Sequence, residues 1–292
     1  MARMRNVFCS IVVALTASLS LAAPPKAPPA PSGPRALVFC APGYPGTTEE
    51  AQSRMDEMAT AIGELSAWPK DSLNAKYFPN EKAGLARFAE TDVVFALVPL
   101  PFFLSHEAEL KLTARLAVVQ QGLEATQQWT LVAKKDAVKK AADLDGYTVF
   151  STAGYAPDFV TRVALQGFGP LPATVKVTSG GQVLSALRKA ASGKEKLAVV
   201  LDSEQAKALS TLPFAADLEV VHAGPKVPVA VVATLGERLT AAEWKTASGA
   251  FLKLPSVERG KAALEGVRLT GFAPLDEAAL AAAKKAFGSP TK

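Results

Sequence analysis

The feature that most constrains this chain is the alternation of short, wholly apolar runs with longer stretches of helical periodicity. Apolar runs at residues 36–40, 93–98 and 197–201 end at Pro or Asp residues or just before a Pro-Gly pair. In residues 55–65, by contrast, apolar side chains recur every three or four positions, which is typical of one face of a helix. Strands that are apolar throughout are buried on both faces. The pattern therefore predicts an α/β fold with mostly parallel sheets covered by helices.

Composition narrows the class further. The chain has 292 residues, of which 49% are hydrophobic and 20% charged, so it can bury a sizeable core and is not a disordered chain. It contains only two Cys and two His, which excludes Cys/His zinc clusters and disulfide-dense scaffolds. A formal net charge of +5 spread along the chain is not the footprint of a nucleic-acid-binding protein.

Residues 1–22 are typical of a secretory signal peptide. Arg3 and Arg5 precede an apolar run at residues 11–21, and Ser20-Leu21-Ala22 fits the cleavage rule. A retained membrane anchor is the alternative. Residues 23–34 are Pro-rich and predict an extended linker or a simple disordered terminus. Cleavage would leave Cys40 as the only thiol, so no intrachain disulfide is expected.

The order of the predicted elements indicates two lobes. Residues from about 135 to 225 form a complete set of strands and helices, yet a strand and two helices follow it. An inserted lobe therefore fits better than two consecutive domains. We predict that residues 35–130 and 229–292 form lobe 1 and that residues 131–228 form lobe 2. The chain would cross between them near residues 130–134 and 224–228.

Open α/β sheets bind ligands beyond the carboxyl ends of their strands, so the residues after each strand are the candidate site. After the first strand, Tyr44 offers a ring and a hydroxyl, and Thr47 or Thr48 precedes a helix. A helix N-terminus attracts anions. Plain turn chemistry with a helix cap is the alternative explanation for these residues.

A second candidate follows the strand that ends near Phe150. Ser151 and Thr152, followed by Ala153-Gly154, place two hydroxyls and small residues at a predicted helix start, which suits an oxyanion. Gly180 repeats this arrangement after the next strand, and Asp202 follows the strand at residues 197–201. Ordinary helix capping remains open for both Ser151 and Asp202.

Catalytic constellations are hard to find in the sequence. His106 and His222 are isolated, and Cys40 lies in an apolar strand where it is expected to be a buried small residue. The sequence contains no dinucleotide-binding, Walker or HExxH motif. We therefore predict neither an enzyme nor a bound cofactor or metal.

The ordered set of features resembles the type II periplasmic substrate-binding proteins of ABC transporters, in particular their phosphate/phosphonate/phosphite-binding (PhnD-like) branch. The residues that carry this resemblance are 36–46, 92–101, 142–149, 151–154, 181–193, 199–202, 224–231 and 264–272. The resemblance implies two α/β lobes with two crossover hinge strands. It also implies a periplasmic, monomeric receptor that passes a small anionic ligand to a membrane permease.

The resemblance also implies roles for single residues. Ser151 and Thr152, with the backbone of Ala153 and Gly154, would hold the oxyanion; Tyr44 would supply an aromatic contact and Asp202 an acidic one. The complete set of predicted ligand-binding residues is Tyr44, Thr47, Pro99, Ser151, Thr152, Ala153, Gly154, Gly180 and Asp202.

The chain departs from this branch at several positions of the cleft. Ala153 replaces a third hydroxyl, Gly180 or Gly181 replaces a polar or His side chain, and Pro99-Leu100 replaces a polar or aromatic contact. A less polar cleft favours a second hypothesis, in which the two-lobed body has lost its ligand and binds an envelope or sensor partner. The apolar segment at residues 99–103 also favours this hypothesis.

Overall fold

The computed structural model describes residues 33–288, which form one compact unit. The predicted signal peptide, residues 1–22, and nearly all of the Pro-rich linker lie outside the described residues. The strands are β1 (Arg35–Cys40), β2 (Leu73–Phe78), β3 (Val93–Pro99), β4 (Leu112–Gln120), β5 (Thr126–Lys134), β6 (Thr148–Ser151), β7 (Lys176–Ser179), β8 (Leu197–Leu201), β9 (Leu218–Pro228), β10 (Ala230–Leu235) and β11 (Leu269–Pro274).

The α-helices are α1 (Thr48–Leu65), α2 (Glu81–Phe88), α3 (Leu100–Leu110), α4 (Val183–Ser192), α5 (Ser203–Ala208), α6 (Ala241–Lys253), α7 (Glu258–Gly266) and α8 (Glu277–Gly288). A π-helical turn, Phe159–Ala164, replaces the regular helix that the sequence predicts after β6. Within residues 33–288, none of the helices combines the length and apolar composition needed to cross a membrane.

The strands form two sheets, which confirms the predicted α/β class. The six-stranded sheet has the order β11-β4-β10-β3-β1-β2, and the five-stranded sheet has the order β7-β6-β8-β5-β9. The prediction of mostly parallel sheets is wrong in detail, because each sheet is mixed. Strand β1 pairs in parallel with β2 and β3, but β4, β10 and β11 pair antiparallel, as do β5 and its neighbours. Strands β5 and β10, each of which follows a connection between the two sheets, run antiparallel to both of their neighbours.

We call the six-stranded sheet with the helices packed on it lobe 1, and the five-stranded sheet with α4 and α5 lobe 2. The first crossover is the segment 121–125 between β4 and β5, not residues 130–134, which belong to β5. The second is the single residue Val229, between β9 and β10. The Val229 N–H donates to the Ala125 carbonyl at 3.1 Å, so the two crossovers lie side by side.

The last helix does not follow the predicted lobe boundary. Helix α8 packs against β9 and the π-helical turn of lobe 2, whereas the sequence assigns residues 229–292 to lobe 1. Its Lys284 also pairs with Glu107 of α3. The contacts of α8 therefore argue for counting it with lobe 2, and the remaining bounds of the lobes stay a prediction.

Five elements escape the sequence reading, namely β2, β11, α2, α3 and α7, and for two of them the reason is identifiable. Strand β2 alternates buried and exposed residues, which is the pattern of a sheet edge with one covered face. Helix α3 begins directly after Pro99 and has Pro101 within its first turn. Proline is tolerated there because the first helical N–H groups need no intrahelical partner.

Burial on both faces of β1, β3 and β10 divides the apolar side chains between two cores. Leu37, Phe95 and Val232 face the core under α1, α6 and α7. Val38 and Ala96 face the opposite core, which continues into lobe 2. A third, smaller core lies between the outer face of the five-stranded sheet and α4.

The second of these cores joins the lobes. It contains Phe102 and Phe103 of α3, Phe159 of the π-helical turn and Trp129 of β5, all almost fully buried. The rings of Trp129 and Phe159 meet edge to face, with centroids 5.3 Å apart. Because the segment at residues 99–103 is buried, it is not an exposed partner-binding surface.

Replacing the ring that joins the lobes should destabilise the whole unit. We expect Phe159→Ala to lower the free energy of unfolding by about 3–5 kcal/mol, because a fully buried ring leaves a cavity. Denaturant unfolding measures this. Leu184→Ala is the control, since Leu184 is 51% exposed and its truncation should cost at most about 0.5 kcal/mol. Two separate unfolding transitions in the parent protein would contradict a shared core.

Candidate functional site

A cavity of about 220 Å³ opens at the edge of the six-stranded sheet where β1 and β3 end. Its walls include Phe39, Leu97, Val118 and Leu269, which reach it from four strands. The crossover residue Val229 also lines it. Lobe 2 contributes Glu204 of α5 to the wall, so the wall is complete only while the lobes are together.

Three of the predicted site residues line this cavity: Tyr44, Thr47 and Pro99. The Thr47 hydroxyl accepts from the Glu50 N–H at 3.2 Å, and Glu50 accepts from the Thr47 N–H at 2.9 Å. Thr47 is therefore the N-cap of α1, as the alternative explanation holds, and this reciprocal bonding fixes the end of the loop that carries Tyr44.

Ser151 and Thr152 are buried at the tip of β6, beside lobe 1 and not in the lining of the cavity. The Ser151 hydroxyl accepts from the Ala153 N–H at 3.2 Å. The Thr152 hydroxyl accepts from the Gln205 side-chain amide at 3.4 Å. A hydroxyl that accepts a hydrogen bond still has its own proton, so each group can also donate.

The loops after β1 and β6 touch where the lobes meet. Gly43 has φ +84°, and a Cβ built on it would lie 2.5 Å from the Thr152 carbonyl oxygen. Gly181 lies close to the Gly43 carbonyl, so the Gly180-Gly181 turn reaches the same place. Gly154 packs against the Thr178 carbonyl at the end of β7. The predicted site residues of the two lobes therefore meet through small residues that allow close approach.

Asp202 caps α5 and lies in the same region. Its carboxylate accepts from the Gln205 N–H at 2.8 Å, which makes it the N-cap that the alternative explanation describes. Burial raises the pKa of Asp202 from its usual value of 3.8 to about 6, because hydrogen bonds only partly replace the lost water. Burial also raises the pKa of Tyr44, and the carboxylates of Asp202 and Glu204 add to that effect.

The rim of the cavity carries charges that the sequence reading does not single out. Arg268, between α7 and β11, forms an ion pair with Glu204 of lobe 2. Outside the cavity lining, Lys207 of α5 donates to the Gly122 carbonyl in the first crossover at 2.6 Å. These residues are far apart in the sequence and belong to no motif, so only their meeting in space marks them.

The described residues offer little for catalysis or metal binding. Within residues 33–288, no group of three or more His, Cys, Asp and Glu side chains could hold a metal ion. Burial raises the pKa of Cys40 to about 12, so its thiol is protonated at neutral pH and is a poor nucleophile.

Several known structures share this fold at low sequence identity. XAC2383 from Xanthomonas citri, in a form bound to chloride, has a TM-score of 0.66 and 16% identity and covers 86% of this chain and 97% of its own. A second XAC2383 structure is bound to ATP, with a TM-score of 0.64 and 15% identity, covering 86% and 96%.

PhnD1 from Prochlorococcus marinus, in complex with methylphosphonate, has a TM-score of 0.57 and 13% identity and covers 87% of this chain and 97% of its own. No protein-family model and no curated protein matches this sequence. At these identities the likeness concerns the fold, which is that of the two-lobed type II periplasmic binding proteins.

The close approach of the two loops predicts that alanine substitution destabilises the protein more at one glycine of the first loop than at another. Gly43 and Gly46 both have positive φ, but a Cβ on Gly46 would lie 4.0 Å from its nearest neighbour, a carbon of the Tyr77 ring. We expect Gly43→Ala to reduce stability by about 1–3 kcal/mol more than Gly46→Ala, because only Gly43 faces the other lobe. Chemical unfolding compares the two, and equal losses would show that the loops are not in contact.

The buried carboxylate at Asp202 predicts a pH-dependent stability. Because the pKa of Asp202 is higher in the folded protein, its protonated carboxyl contributes to stability below about pH 4. This contribution is lost as the pH rises through about 6. Asp202→Asn keeps the helix cap and removes this charge, so it should be more stable than the parent at pH 7 by about 1–3 kcal/mol and equally stable at pH 4. Unfolding curves across this pH range test it, and parallel curves for the two proteins would contradict it.

Proposed function

We propose that this chain is the solute-binding component of an ABC-type uptake system, a periplasmic receptor without catalytic activity. The observation that carries the proposal is the cavity at the interlobe edge, which takes its walls from lobe 1 and from Glu204 of lobe 2. A ligand that contacts both lobes stabilises the conformation in which they are together. A membrane permease could then distinguish the loaded receptor from the empty one.

We further propose that the ligand carries a small oxyanion, such as phosphonate, phosphite or phosphate. Two hydroxyls, those of Ser151 and Thr152, accept hydrogen bonds from protein groups and so can donate to an anion. The ligands named for structures of similar fold are also anions: chloride, ATP and methylphosphonate.

A ligand-independent role remains the second candidate, in which the two-lobed body binds an envelope or sensor partner. Two observations favour it: the loops after β1 and β6 are already in contact, and an apolar core already joins the lobes. This candidate predicts a stable complex with a protein partner in envelope extracts without any added small molecule.

Binding of anions to the purified protein separates the two candidates. We expect methylphosphonate, phosphite or phosphate to raise the melting temperature and to give a saturable calorimetric titration. If none of them does so at millimolar concentration, the oxyanion proposal is overturned.

Removing both hydroxyls tests the proposed oxyanion site directly. The double variant Ser151→Ala/Thr152→Ala should lose methylphosphonate affinity by about 1–3 kcal/mol, because two donors to the anion are gone. Calorimetry measures the affinity, and circular dichroism checks that the fold is retained. Ser210→Ala is the matched control, since Ser210 is exposed and lies outside the site. Unchanged affinity in the double variant would exclude these hydroxyls as ligands.

A further inference from the structure

We propose that the ligand of this protein carries an apolar body about the size of one six-membered ring, which the cavity holds. This inference rests on the proposed receptor function and names the class of ligand: an organic molecule with an apolar body and a small polar head. Inorganic phosphate and methylphosphonate would then bind, but more weakly than a ligand that also carries the apolar body.

The first argument is the chemistry of the cavity walls. Phe39, Leu97, Val118, Val229, Ala230 and Leu269 present carbon to the cavity from five strand ends and the second crossover. A fully hydrated inorganic anion gains nothing from such walls and would lose water to enter them. An apolar group gains about 25 cal/mol for each Å² that it removes from water.

The second argument is size. The cavity measures about 220 Å³. An engineered apolar cavity of about 150 Å³ stays dry and binds benzene. A single substituted ring is therefore accommodated, whereas methylphosphonate would leave most of the space empty.

The third argument is that the cation in the cavity lining, Arg268, is already paired with Glu204. Within residues 33–288, the lining thus offers no unpaired cation to an anionic head, and the head must lie elsewhere. Tyr44 lines the cavity, and its neighbour Gly43 touches the backbone of Thr152, so the loop after β1 contacts both the cavity and the segment that carries the hydroxyls.

Calorimetric titration with three probes tests the inference on the full folded protein. Phenylphosphonate has both the ring and the head, methylphosphonate has the head alone, and benzyl alcohol has the ring without the anion. We expect phenylphosphonate to bind at least about tenfold more tightly than methylphosphonate, a difference of about 1.4 kcal/mol.

The outcomes separate this inference from the function on which it rests. Equal affinity for phenylphosphonate and methylphosphonate would overturn the proposal of an apolar body in the ligand, but it would still support the proposed oxyanion receptor. Binding of benzyl alcohol without either phosphonate would support the apolar body and overturn the oxyanion. Absence of binding by all three probes would overturn both proposals.

Filling the cavity provides the second test. Ala51 of α1 lines it, and Ala51→Phe should weaken phenylphosphonate binding by at least about tenfold while changing methylphosphonate binding by less than about threefold. Ala242→Phe, at an exposed position of α6, is the matched control and should change neither. If Ala51→Phe does not fold, the smaller Ala51→Leu takes its place. Full phenylphosphonate affinity in a folded, filled variant would overturn the inference.

Discussion

The apolar core shared by the two sheets is the constraint on which the rest of this structure depends. Side chains of α3, the π-helical turn, β5 and α8 pack into one continuous cluster that belongs to neither lobe alone. Burying aromatic rings between the lobes opposes their separation, because separation would return that surface to water. The lobes are therefore held together by protein contacts even without a ligand, and a ligand has only to add to an arrangement that already exists.

That constraint decides what the site between the lobes can be. With the loops after β1 and β6 in contact through Gly43 and Thr152, the space left for a ligand is displaced toward α1 and α7. The cavity there has apolar walls, and the Arg268–Glu204 ion pair lies at its rim. The Ser151 and Thr152 hydroxyls are not in its lining but belong to the segment that the Tyr44 loop touches. A ligand that uses both regions needs an apolar part and a polar part.

The polar contacts near the crossovers work in the same direction as the core. The Val229–Ala125 hydrogen bond ties one crossover to the other, and Lys207 ties α5 to the first crossover. The Arg268–Glu204 pair adds a contact between the lobes at the rim of the cavity, but both side chains are substantially exposed, so it stabilises closure only weakly. Asp202 opposes stability at neutral pH, because its buried carboxylate must be ionised there.

The sequence by itself determined the α/β class, the two-sheet organisation and most of the strands, because a short apolar run rich in β-branched residues, such as that of β8, is typical of a central strand. It also determined which residues follow the strands, and three of these, Tyr44, Thr47 and Pro99, line the cavity. A search for continuous apolar runs passes over β2, although its alternation of apolar and polar residues is a local strand signal, and the proline in the first turn of α3 hides that helix.

Only the tertiary structure decided where the strand ends meet. Mixed strand directions, the crossover at residues 121–125 and the packing of α8 on lobe 2 follow from long-range pairing, which leaves no local trace. For the same reason the Arg268–Glu204 pair and the apolar cavity could not be read from the chain. Residues separated by tens of positions become neighbours only when the two sheets share a core. The shared core therefore positions the hydroxyls of Ser151 and Thr152 relative to the walls of the cavity.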